Sequence, residues 1–201
     1  MRLGVLVSGA GTNLGAILEA QARGELGGGE VVVVVSNRPG VTALERAGAA
    51  AVATAVVDHR AFPTRALFEE QLIAALAAHG VELVVLAGFM RVLTPHFLRA
   101  YPDRVVNIHP ALLPAFPGVD AQRQAWEHGV KMTGATVHFV DEGTDSGPII
   151  AQVAVPIHDD DTVESLRARI LAQEHLLYPR VLRALCEGRV SRDGRRVRVR
   201  P

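Results

Sequence analysis

The chain has 201 residues, of which 49% are hydrophobic and 21% charged, a globular profile with ample apolar material for one domain. Its formal charge is zero, but six arginines (Arg189, Arg192, Arg195, Arg196, Arg198, Arg200) and one acid, Asp193, follow Gly188, leaving 15 basic and 20 acidic residues before them, a net −5. An acidic body argues against wholesale binding of a nucleic-acid backbone, and the single cysteine, Cys186, excludes a disulfide scaffold and CxxC metal sites.

Met1-Arg2-Leu3-Gly4-Val5 runs directly into a strand pattern, with no charged leader and no 18-residue apolar run, so a cytoplasmic protein is expected. Short apolar runs then alternate with helical periods, the signature of parallel βαβ units. Leu3 to Val7 reads as a buried strand, Ser8-Gly9-Ala10-Gly11 as a turn and Thr12 to Ala22 as a helix. Val31 to Val35 is a strand of five β-branched residues, ended by Ser36-Asn37-Arg38-Pro39-Gly40. A helix near Val41 to Ala47 and a strand at Val52 to Val56 follow. The next helix, Arg65 to Ala78, is expected to bury a stripe of Leu67, Leu72, Ile73 and Leu76 before stopping at Gly80. Leu83 to Ala87 is a strand, and Thr94-Pro95 opens a short helix as N-cap and N1 residues.

Arg104 to Ile108 is the fifth strand, and after it the pattern changes. Pro110, Pro114 and Pro117 make the segment from His109 to Gly118 a rigid loop. Strands at Thr133 to Val140 and Ile149 to Val155 are separated by only eight residues, too few for a parallel crossover, so at least one is antiparallel. Asp161 and Glu164 read as a capping box for a long helix that Pro179 is expected to kink. Within it, Cys186 reads as a buried structural thiol. Asp193-Gly194 is a hairpin signal. The expected fold is therefore α/β, a Rossmann-like open twisted sheet, parallel in its N-terminal half with antiparallel additions in its C-terminal half. One domain covers 1–188, and an arginine-rich hairpin or tail covers 189–201.

Three segments carry chemistry. In Val7-Ser8-Gly9-Ala10-Gly11-Thr12-Asn13-Leu14-Gly15 a glycine-rich turn leads from a strand into a helix, where free N–H groups and the dipole hold phosphate. The spacing is G-x-G-x-x-x-G and the second strand ends without an acid, which disfavours a dinucleotide; a tight turn with no ligand is the alternative. Asn107-Ile108-His109-Pro110 places an amide and an imidazole on the same side of a strand, since side chains alternate. Pro110 keeps His109 extended. At the carboxyl end of a parallel strand such a pair suits a reaction passing through an oxyanion, although a satisfied structural histidine fits equally. Asp141 to Pro148 is an acidic turn. A carboxylate arriving from it at His109 would hold the tautomer and raise the pKa, while a solvated turn needs no such contact. The other seven histidines form no HExxH or comparable pair, so no metal site is expected, and no G-x-S-x-G elbow supplies an acyl nucleophile.

Taken together the motifs resemble one family, the phosphoribosylglycinamide formyltransferases, folate-dependent enzymes of purine biosynthesis. The resemblance spans about Met1 to Gly188 and rests on SGAGTNL at Ser8, SNRPG at Ser36, LAGFMRVL at Leu86, NIHPALLPAFPG at Asn107, GATVHFVDEGTDSGPII at Gly134 and QEHLLYP at Gln173. It implies direct transfer from 10-formyltetrahydrofolate to the glycinamide amine, without a metal or an acyl-enzyme. By the same resemblance Asn107 holds the formyl oxygen, His109 shuttles the proton, and Asp145 keeps His109 charged and helps order a water. Gly11, Thr12 and Asn13 would hold the ribose phosphate, with Glu174 near the glycinamide end. Arg65, the stretch Met90, Arg91, Val92 and Leu93, and the loop from Val140 and Asp141 to Asp145 would line the folate pocket. Met90, Val92 and Leu93 also read as core. The expected partners are small molecules, not nucleic acid or membrane. Two relatives share the fold: methionyl-tRNA formyltransferase would carry a further basic domain, and formyltetrahydrofolate hydrolase an N-terminal regulatory one. A non-catalytic phosphate-binding module would have no use for Asn107, His109 and Asp145 together.

Overall fold

The computed structural model describes residues 1–201. In chain order it contains β1 (Arg2–Val7), α1 (Thr12–Ala22), β2 (Glu30–Ser36), α2 (Thr42–Ala49), β3 (Ala53–Val56), α3 (Arg65–Ala77), β4 (Leu83–Leu86), α4 (Pro95–Ala100) and β5 (Val105–His109). Then come α5 (Ala121–His128), β6 (Met132–Phe139), β7 (Ile149–Pro156), α6 (Val163–Cys186), β8 (Val190–Asp193) and β9 (Arg196–Val199). The main sheet has the order β3-β2-β1-β4-β5-β6-β7. Pairing is parallel from β3 to β5 and antiparallel for β5 with β6 and β6 with β7, as the short gap before β7 requires. This is the Rossmann-like sheet with antiparallel additions expected from the sequence.

Both faces of the sheet are covered. Leu3, Val5 and Val7 of β1 join Leu14 and Ile17 of α1 and Leu166, Ile170 and Tyr178 of α6 in one core. Leu6, one residue out of phase, joins Phe68, Leu72 and Leu76 of α3 and Phe97 of α4 in the other. Strands buried on both faces need continuous apolar runs rather than alternation, which is why VVVVV in β2 and LVVL in β4 are so easily read. No helix is long and apolar enough to cross a membrane.

Several local expectations change. In α3 Leu72 and Leu76 are buried and Ile73 packs against the core, as expected, but Phe68 completes the stripe and Leu67, about 100° round the helix from it, is 43% exposed. The capping box of α6 is Thr162 with Ser165, not Asp161 with Glu164. Asp161 instead pairs with Arg169 at 2.7 Å and accepts from the His158 N–H. α6 runs through Pro179 as one helix. Thr94 does not cap α4 with its side chain; its N–H and hydroxyl both bind the buried Glu69 carboxylate. The β8–β9 turn is Gly194-Arg195, one residue later than the Asp-Gly signal. Cys186 is half-buried, and burial pushes its thiol pKa up, which keeps it unreactive. The sequence reading missed α5, because AQRQAWEH offers only two small alanines to the interior and shows no apolar period.

Candidate active site

β5 delivers Asn107 and His109 to its carboxyl end, on the same side of the strand. The antiparallel neighbour β6 sets His138 directly opposite Asn107, with Asn107 Nδ2 3.3 Å from His138 Nε2. His138 Nδ1 lies 2.8 Å from the Phe139 carbonyl, so it carries the proton of the neutral ring. Nε2 is then an acceptor, and the Asn107 amide donates to it. One N–H of Asn107 is committed in this way, the plane of the amide is set, and the second N–H is left for a ligand.

His109 is 4% exposed and has an oxygen acceptor at each ring nitrogen. Nε2 is 2.8 Å from the Phe116 carbonyl and Nδ1 is 3.2 Å from Asp145 Oδ2. A neutral ring can satisfy only one of these acceptors, and a protonated ring satisfies both. Burial opposes the charge and dominates, pushing the His109 pKa down; the Phe116 carbonyl and Asp145 pull it partly back, and nearby His138 adds to the depression. The expectation that Asp145 keeps His109 charged is therefore corrected: its own pull has the expected sign, but desolvation outweighs it. For Asp145, burial would raise the carboxyl pKa, but His138 when protonated, with Nε2 3.7 Å from Oδ1, the Gly118 N–H and the His109 charge hold it below its usual value.

Two loops are locked together around this centre. The Gly118 N–H donates to Asp145 Oδ2 at 2.8 Å, tying the proline-rich loop to the acidic one. Within the acidic loop, Asp141 Oδ1 accepts from the Gly143 N–H (3.1 Å) and the Ser146 hydroxyl (2.6 Å). Gly147 closes the loop against β6 so tightly that a Cβ there would stand 1.7 Å from the Phe139 carbonyl oxygen. Asp145 and Phe116 both adopt left-handed backbone (φ 52 and 53), a cost that concentrates at functional sites.

A cavity of about 390 Å³ opens over these residues. Asn107, His109, His138 and Asp145 line it, as do residues 88–93 and part of the acidic loop, Val140 and Asp141 included. Met90 and Val92 are 63% and 51% exposed, so they wall the cavity rather than fill the core, whereas Leu93 is buried in the core as well as lining the cavity. Arg91 lines it too. Arg65 does not, since it starts α3 on the exposed surface outside the lining residues. His138 and the short α5, whose Gln122 also lines the cavity, were absent from the sequence-derived site. The alternation of β6 against β5 was the one signal for His138, and it becomes usable only with the register known.

Beside the cavity, the glycine-rich turn ends at Gly11, the N-cap of α1, with φ 68 and no side-chain cap. A Cβ at Gly11 would meet Ala43 Cβ at 2.6 Å, so glycine is required by both backbone and packing. The N–H groups of Gly11, Thr12 and Asn13 meet no acceptor within the chain. Asn13 Nδ2 lies 3.3 Å from Glu174 Oε2 on α6. Asn13 Oδ1 and His175 Nε2 are buried without a partner, polar groups of the kind that a bound ligand satisfies. Burial pushes Glu174 up to about 7, with the Asn13 bond opposing. The Tyr178 hydroxyl, one turn further along α6, bonds the carbonyls of Leu86 (2.9 Å) and Val106 (3.1 Å), anchoring the helix over the ends of β4 and β5.

An α/β domain with an amide, an acid–base imidazole and a carboxylate beneath a cavity at the carboxyl ends of its strands is a small-molecule group-transfer scaffold. The chain belongs to the formyl transferase family, whose model matches residues 1–182. It is 42% identical over 184 residues to the phosphoribosylglycinamide formyltransferase of Bacillus subtilis, covering 92% of this chain and 94% of that one. It is 48% identical over 188 residues to the trifunctional purine biosynthetic protein adenosine-3 of Drosophila melanogaster, covering 93% of this chain. The chain spans only 14% of that longer protein. The crystal structure of glycinamide ribonucleotide transformylase 1 from Symbiobacterium toebii superposes with a TM-score of 0.97 at 54% identity, covering 99% of this chain and 93% of that one.

Proposed function

We propose that the protein transfers the formyl group of 10-formyltetrahydrofolate to the amine of 5-phosphoribosylglycinamide, in the cytoplasm, as a step of purine biosynthesis. The observation that carries this reading is the convergence of Asn107, His109 and Asp145 at the floor of a cavity, next to a helix start with unsatisfied N–H groups.

The folate occupies the cavity walled by Met90, Arg91, Val92 and Leu93 and by the loop from Val140 and Asp141 to Asp145. The ribose phosphate binds the free N–H groups of Gly11, Thr12 and Asn13, and Glu174 and Asn13 Oδ1 face the rest of the ribonucleotide. As the amine attacks the formyl carbon, the free N–H of Asn107 donates to the oxygen that becomes an oxyanion. His109, with its depressed pKa, is available in its neutral form and gains a hydrogen bond when protonated, which suits it to accept the amine proton and return it to the departing folate nitrogen. Asp145 orients the ring and stabilises the imidazolium as it forms.

The test is an absorbance assay of folate deformylation with and without glycinamide ribonucleotide. Turnover that requires the ribonucleotide supports the assignment, and equal turnover without it indicates a formyltetrahydrofolate hydrolase. Each charge-assisted hydrogen bond contributes about 1.5 to 3 kcal/mol, so the dephosphorylated riboside should lose several powers of ten in kcat/KM. A riboside reacting nearly as well as the ribonucleotide overturns the phosphate assignment.

A further inference from the structure

A second cavity, of about 580 Å³, lies over the carboxyl ends of β1, β2 and β3. It is walled by residues 8–10 and 38–42 with His59 and Arg60, and none of the proposed folate or ribonucleotide residues lines it. The Ser8 segment separates the two cavities: Ser8 lines this one, while its Oγ accepts the N–H of Met90, which lines the other.

The wall carries cations and donors and no carboxylate. Arg38 is exposed and its guanidinium makes no ion pair or hydrogen bond within the chain, so its charge is available. Arg60 is held by Asp58 at 2.8 Å, a carboxylate that is not among the lining residues. His59 Nδ1 lies 3.0 Å from the Asn37 carbonyl, 3.3 Å from the Asn37 amide nitrogen and 3.8 Å from Asp58 Oδ1, and Nε2, which has no partner, can donate to an oxyanion when it carries a proton. The backbone N–H groups of Ala10, Gly40 and Thr42 also meet no acceptor in the chain. The floor is rigid, because the buried Ser8 hydroxyl donates to Asn37 Oδ1 at 2.6 Å and joins the ends of β1 and β2. In a body that is net acidic, a free guanidinium and several free N–H groups in one concavity form a local site for an oxyanion. The volume is that of a small-molecule pocket rather than of a bare ion.

We propose that this cavity binds a phosphate-bearing small molecule at a site separate from that of the substrate phosphate, with Arg38 as the principal counter-charge. The test is a titration of the 15N-labelled protein with inorganic phosphate at constant ionic strength, against a chloride control. The amide signals of Ala10, Gly40, Thr42 and His59 should shift along a saturating curve that chloride does not reproduce. Arg38→Ala, a surface substitution, should weaken that curve about tenfold or more while the shifts of Thr12 and Asn13 keep their own midpoint. Three results overturn the proposal: no saturating shift at the cavity, an Arg38→Ala curve superposable on the parent's, or cavity shifts that track those of Thr12 and Asn13 with a single midpoint.

Discussion

The carboxylate of Asp145 and the imidazole of His109 come from loop and strand segments 36 residues apart and meet with Oδ2 3.2 Å from Nδ1, below the surface and locked by the Gly118 N–H. On its far side the same ring meets the Phe116 carbonyl, so proton uptake by His109 completes a hydrogen bond instead of breaking one. Burial sets the cost of that proton and Asp145 offsets part of it.

Asp145→Asn should therefore keep the fold and lower kcat by about a hundredfold or more. Because Asp145 raises the His109 pKa, its neutralisation should also move the acidic limb of the pH–rate profile to lower pH. Steady-state rates across that limb decide the matter; kcat within about threefold of the parent removes Asp145 from the mechanism.

Asn107→Ala should reduce kcat by roughly two to three orders of magnitude, the usual loss for one oxyanion donor, with little change in folate KM. The variant also leaves His138 Nε2 without its donor. If KM for the folate rises and kcat holds, Asn107 binds the ground state and does not serve the transition state.

Glu174 offers a test by linkage. Its folded pKa, raised by burial to about 7, exceeds the ordinary 4.5, so the folded state holds the proton more tightly than the unfolded chain. Stability from this group is complete below about pH 4.5 and is lost as pH rises through about 7. Glu174→Gln should flatten the fall in Tm of the ligand-free protein between pH 5 and 8. Parallel Tm profiles for parent and variant would show that Glu174 titrates normally.

Tyr178→Phe keeps the buried ring and removes only the hydroxyl that bonds the Leu86 and Val106 carbonyls. The expected cost is about 1 to 3 kcal/mol, because buried acceptors lose their donor. Urea unfolding would read this as a lower midpoint with an unchanged slope, and an unchanged midpoint contradicts it.

Much was legible from the chain alone. Runs such as VVVVV and LVVL have no helical reading of the right length, so the parallel half of the sheet follows from local pattern. The glycine turn and Asn107-Ile108-His109 sit at strand exits, so their place at the carboxyl edge of the sheet follows from strand alternation and chain direction. Boundaries and caps were less legible, because Thr162 and Ser165 compete with Asp161 and Glu164 for the same few N–H groups, and only the backbone geometry selects between them.

Only the tertiary structure decided the electrostatics. Whether the turn at Asp145 is solvated or catalytic depends on two loops meeting, and local sequence does not encode that distance. The place of His138 opposite Asn107 depends on the β5–β6 register, and the exclusion of Arg65 from the cavity depends on where α3 begins in space. The depressed pKa of His109 reflects how much water the fold removes from around it, a property of the whole packed site. Residue identities determine which groups can donate, accept or carry charge; the dielectric around them and the partners they meet are set by the closed fold.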